Sequence, residues 1–111
     1  MSRSDRERLQ DILVAVRAIQ EYLRFGALDE PIVYDAVRMR LIEVGEAVKS
    51  LDPELLADEP GVPWRSIAGM RDRLAHSYFD TLVQVLTVTV TDDLGELEAA
   101  VARIAVRAED G

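Results

Sequence analysis

Toward the C-terminus, Leu82, Leu86, Val90, Leu94, Leu97, Val101 and Ile104 follow one another at intervals of 4, 4, 4, 3, 4 and 3 residues. That rhythm keeps all seven on one side of an α-helix about six turns long. A local signal opposes it: VQVLTVTVT at 83–91 is β-branched and partly alternating, which favours a strand. A strand would need a partner, and no other segment of the chain has strand character. The helical reading prevails, from about Asp80, a good N-cap residue, to Val106, with the terminal AEDG frayed. This choice commits the chain to helix packing.

The other segments agree. Leu9, Ile12, Leu13, Val16, Ile19 and Leu23 make one helical stripe between Asp5 and Arg24. Ser4 and Glu7 have the spacing of a capping box, and Gly26 supplies a stop. A second helix opens at Asp29, with Pro31 in its first turn, and runs to about Leu51. Val33, Val37, Leu41, Val44, Val48 and Leu51 form its stripe. Ile32, Ala36, Met39 and Ile42 widen that stripe, which predicts a helix covered on more than one side. Gly45 inside this helix costs ~1 kcal/mol against alanine, a cost that a close helix–helix approach would justify.

DPELLADEPGVPW carries three of the four prolines. Asp52-Pro53 starts a single helical turn over Glu54–Ala57, EPGVP is loop, and Pro63 opens a third helix. That helix passes through Trp64, Ile67, Ala68, Met70 and Leu74 and ends near His76–Tyr78. The expected fold is all-α: one domain over 1–111, an antiparallel four-helix-type bundle with an additional short helical turn. The first and last stripes are wide enough to leave an apolar face for a second copy.

Composition narrows the functions. The chain has no cysteine, so disulfides and thiolate metal sites are excluded and a reducing cytoplasm is the expected compartment. MSRSDRERLQ does not read as a signal peptide, and no apolar run approaches the ~18 residues of a membrane span. A net charge of −8 argues against broad nucleic-acid binding, and no DNA partner is expected. RNA would have to be met at a local cluster of arginines.

Such a cluster lies in MRDRLAHSYFD at 70–80, which holds the single histidine, His76. Imidazole exchanges a proton near neutrality, and the guanidinium of Arg71 holds its charge and fits phosphate oxygens. Together they suit RNA transesterification without a metal or other cofactor. The histidine moves a proton while the arginine stabilises the anionic phosphorane. Five residues on a continuous helix, however, separate the two positions by roughly 140° of rotation and ~7.5 Å of rise. The pair works only if the helix distorts near His76, or if a cleft takes Arg71 and His76 from each of two subunits. A helix C-terminal histidine and an arginine in a surface ion pair account for the spacing at least as well. Asp72 could orient either residue, and Arg65 and Arg73 would add positive potential as RNA contacts. Tyr78 could bind a phosphate, carry a modification that blocks the cleft, or simply pack beside Phe79. Glu43 and Glu46 share a face, but no Glu-x-x-His metal motif exists; Glu46 could pair with an arginine of the third helix.

These residues resemble the HEPN domains, and within them the small HepT-like toxins, whose signature is Arg-x4-His-x-Tyr with a polar residue after the arginine. Here it reads RDRLAHSY. RLQDILVAVRAIQEYL, VRMRLIEVGEAVKSL, PWRSIAGMRDRLAHSYF and VTDDLGEL are similar to the family in order and spacing. Only DTLVQVLTVTV departs, where relatives often carry an Asp and a Trp. The resemblance implies a homodimer with both motifs lining a cleft between subunits. It also implies a metal-independent ribonuclease toxin in which Arg71 and His76 carry catalysis and Asp72 supports them. The expected partner is a minimal nucleotidyltransferase antitoxin, able to transfer AMP to Tyr78. The alternative is a subunit of the same fold that binds a nucleotide or the nucleotidyltransferase without cleaving RNA.

Overall fold

A computed structural model of the chain describes residues 2–76 and 93–110, and every described element is a helix. They are α1 (Arg3–Phe25), α2 (Pro31–Ser50), α3 (Pro53–Leu56), α4 (Trp64–Ala68), α5 (Met70–His76) and α6 (Leu94–Asp110). The start of the last helix, with Asp80, Leu82, Leu86 and Val90, lies outside the described residues. Its described half is helical, as the long-range rhythm requires. It runs on to Asp110, where a fray was expected, because Ala108 and Glu109 are good helix formers.

The apolar stripes meet in one core. Leu9, Ile12, Val16 and Ile19 of α1 bury against Val37, Leu41, Val44 and Val48 of α2 and against Leu97, Val101 and Ile104 of α6. Each such side chain contributes about 1.5–3 kcal/mol over its exposed state. Tyr22 of α1 reaches Arg40 of α2, while Asp5 reaches the backbone at Asp52, so the two long helices run antiparallel. The widened face of α2 is covered in part: Ile42 packs against the core and Ala36 is half-buried, while Ile32 is 85% and Met39 53% exposed. Phe25, the last residue of α1, is exposed with them, as are Val14 of α1 and Val106 of α6.

The start of α1 differs from expectation. Ser2, not Ser4, is the N-cap, accepting from the Asp5 amide at 3.0 Å and donating to Asp5 Oδ2 at 2.8 Å. Ser2-x-x-Asp5 has the same form as Ser4-x-x-Glu7. It prevails because the buried Asp5 also accepts from the Asp52 amide at 3.3 Å, tying α1 to the end of α2. The Ser2 hydroxyl, together with the Asp52 amide, holds the Asp5 carboxyl below its usual range.

The proline-rich stretch behaves as read. Asp52 caps the single turn α3 through the Glu54 amide, and the following loop is held at Glu59. Trp64 Nε1 donates to the Glu59 carbonyl at 2.9 Å. The Glu59 carboxylate, only 11% exposed, accepts from Arg103 at 2.6 Å and pairs with Arg107 at 2.9 Å. These two guanidiniums, Arg103 foremost, lower the Glu59 pKa. A carboxyl whose folded pKa is depressed adds stability that is full above its unfolded pKa, near 4.3, and is lost as pH falls through the folded value. Glu59→Gln should therefore lower the melting temperature at pH 7, and its gap to the parent chain should close below about pH 4. Melting curves across that range check this, and a gap independent of pH would mean that charge plays no part.

Candidate functional site

The third helix was expected to be continuous from Pro63, but Gly69 divides it into α4 and α5. Gly69 has weak helix propensity, and its ψ of −1° departs from the helical value near −42°. The break precedes both Arg71 and His76, so α5 carries the two positions on one uninterrupted run. Their ~140° separation is retained within a single chain.

Ile67, Met70 and Leu74 bury toward α2, which turns Arg71, Asp72 and Arg73 outward to solvent. Gly45 makes this docking close. A Cβ placed there would lie 2.9 Å from the Ile67 carbonyl oxygen and 3.5 Å from the Arg71 amide. One residue on, Glu46 Oε1 lies 3.0 Å from Arg71 Nε, so the pairing expected across the bundle is present. The two side chains are 61% and 55% exposed, so the pair contributes at most about 1 kcal/mol. Its consequence is orientation: it aims the guanidinium along the surface beside α2.

Glu46, Lys49 and Ser50 of α2, Ala68 of α4, and Arg71 and Asp72 of α5 line a groove of about 280 Å³. A second groove of about 400 Å³ opens on the other side of Glu46, between α1 and α2, with Arg8, Asp11, Arg40 and Glu43 on its walls. Glu43 pairs with Arg40 at 3.2 Å, and Arg40 also donates to the Tyr22 hydroxyl at 3.1 Å. Among the described residues no group of three His, Asp or Glu side chains could hold a metal ion. No described helix is long and apolar enough to cross a membrane.

The structure thus brings Arg71 and Asp72 together in one groove. It directs Arg73 elsewhere, to the Ser66 carbonyl at 2.8 Å, and leaves Arg65 exposed on α4. His76 is the last described residue of α5, and Tyr78 lies outside the described residues. Sequence reasoning missed Lys49, the one lysine of the chain, which shares the groove with Arg71. Its signal was present: it stands one turn after Glu46, on the same side of α2. The groove thus sets two cationic groups, Arg71 and Lys49, beside two carboxylates, Glu46 and Asp72.

Residues 11–104 match the family described as Ribonuclease HepT-like. The chain is 33% identical over 102 residues to the "Probable ribonuclease HepT" of Thermococcus cleftensis, covering 88% of this chain and 93% of that protein. A Caldanaerobacter subterraneus subsp. tengcongensis protein whose name proposes an RNase is 39% identical over 75 residues, 68% of this chain and 67% of its own. A similarly named protein of Methanocaldococcus jannaschii is 31% identical over 104 residues, 86% of each chain. No solved structure matches the chain.

Proposed function

Because this chain belongs to the HepT-like ribonuclease family, we propose that it is a metal-independent endoribonuclease, the toxin of a toxin–antitoxin pair acting in the cytoplasm. The observation that carries this reading is Arg71, held by Glu46 on the motif helix at the edge of a groove that also contains Lys49. The RNA 2′-hydroxyl oxygen attacks the adjacent phosphorus, and its proton passes to His76. The bond to the 5′-oxygen breaks, and that oxygen takes a proton from an acid in the cleft, imidazolium or water. The products are a 2′,3′-cyclic phosphate and a 5′-hydroxyl end. Arg71 stabilises the charge gathered on the phosphorane. Asp72 supports Arg71 from within the same groove, and Arg65 and Arg73 add positive potential for the RNA strand. A homodimer supplies what one chain lacks, a cleft in which Arg71 and His76 of different copies converge.

The partner in this reading is a minimal nucleotidyltransferase. It transfers AMP from a nucleoside triphosphate to the Tyr78 phenol oxygen; pyrophosphate leaves, and the phenol proton goes to the transferase. The adenylate then occupies the cleft. A second reading, a subunit that binds a nucleotide or the transferase without cleaving, draws on the net charge of −8 and on the engagement of Arg71 by Glu46.

One experiment separates the two. Purified protein is incubated with total RNA in EDTA, beside His76→Ala, Arg71→Ala and protein co-expressed with the transferase. Cleavage that survives EDTA, vanishes in both variants and is silenced in the co-expressed sample with an added AMP mass supports the nuclease. Equal cleavage in all samples would identify a contaminant and end the catalytic assignment.

A further inference from the structure

Helix α2 grips the α4–α5 segment at two places seven residues apart, two turns or ~10 Å along its axis. One is Gly45, against Ile67 and the Arg71 amide. The other is Arg38, which sends Nε and Nη2 to a single acceptor, the Leu74 carbonyl oxygen, at 3.3 and 3.2 Å. The half-buried Arg38 commits both donors to the backbone of the motif helix rather than to a carboxylate. The Leu74 oxygen lies two residues before His76, on the backbone of the motif helix itself. The Leu74 side chain is itself 1% exposed in the core. Anchored by side chain and carbonyl together, Leu74 cannot turn about the helix axis without losing one or the other. His76 follows two residues later.

We propose that Arg38 is a positioning residue of the nuclease site. Its fork on the Leu74 oxygen fixes the rotation and height of α5 at Leu74, and so the position of His76 two residues on. The proposal rests on the reading that His76 moves the proton. Gly45 and Glu46 set the Arg71 end of α5; Arg38 sets the other. A lysine keeps the charge but has no planar fork, so charge and geometry can be separated by substitution.

The test uses the full chain with Arg38→Gln, Arg38→Lys and His76→Ala. With one histidine in the sequence, the imidazole C–H resonances report on His76 without ambiguity. Both Arg38 variants should lose about 10- to 100-fold in kcat with KM changed by less than about two-fold, as expected when a reacting group is misplaced by a fraction of an ångström. The His76 resonances should move in both, while amide signals of α1 and α6 stay in place. If Arg38→Gln fails to fold, Arg38→Lys carries the comparison, and wild-type kcat in that variant overturns the proposal. Full activity in both Arg38 variants with an inactive His76→Ala also overturns it and leaves the nuclease standing. Full activity in His76→Ala ends the nuclease reading instead; Arg38 is then judged by the resonances alone, and unmoved signals overturn its positioning role.

Discussion

Replacing Gly45 with valine is expected to lower the melting temperature by about 10 °C or more, and with alanine by about half as much. Intrinsic propensity points the other way, since alanine in a helix interior is favoured over glycine by ~1 kcal/mol. Packing decides the sign. The added Cβ would lie 2.9 Å from the Ile67 carbonyl oxygen, a backbone atom that cannot swing aside as a side-chain tip can. Overpacking of this kind costs about 1–3 kcal/mol, and the γ-methyls of valine add to it. The strain falls on the docking of α4 and α5, because Met70 Cβ and the Arg71 amide lie 3.6 and 3.5 Å from the same point. Cleavage should therefore fall further than stability alone explains. Ala47→Gly, two residues on, is the control, losing the propensity of ~1 kcal/mol and the contacts of one half-buried methyl but introducing no clash. Thermal melts of the three variants decide: a Gly45→Ala chain more stable than its parent would mean that α2 and α4 do not approach so closely.

How much of this was legible in sequence follows the range of each signal. Stripes such as Leu9–Ile12–Val16–Ile19 and Leu97–Val101–Ile104 are periodic over many turns, and their buried faces agree with the structure. Gly45 could be read because a glycine inside a good helix needs a reason, and Glu46 because, with no metal motif to use it, a carboxylate facing the third helix suits an arginine there. The cap of α1 could not be assigned by pattern, since Ser2 and Ser4 offer the same spacing and a bond from Asp52, 47 residues away, selects between them. The break at Gly69 was invisible for a similar reason: the apolar positions Ile67, Met70 and Leu74 keep helical spacing across it. Arg38 left no trace, because an arginine that binds a carbonyl 36 residues on looks in sequence like any solvated arginine. In the candidate site, the motif supplied Arg71, Asp72, His76 and Tyr78 as a group, while Lys49 came from the groove.

The geometry of α5 makes a second large effect expected, from mixing two inactive chains. Arg71 and His76 stand on one described helical run with ~140° between their positions, and in the proposed homodimer the cleft draws them from different copies. In a dimer of Arg71→Ala with His76→Ala, one of the two sites loses both residues and the other keeps both. Random pairing of equal amounts makes about half of all dimers mixed, with one intact site of two, so activity should return to about a quarter of wild type. Each variant alone should cleave about 10²–10⁴-fold more slowly than the parent, so the recovery stands far above background. The complementary mixture runs the other way. Wild type refolded with the double variant should keep about a quarter of full activity if sites are shared between chains, and about a half if each chain holds its own. A single-turnover cleavage assay on both mixtures is sufficient. No recovery in the first and half activity in the second would place Arg71 and His76 in one chain, and α5 would then have to unwind between them when RNA binds.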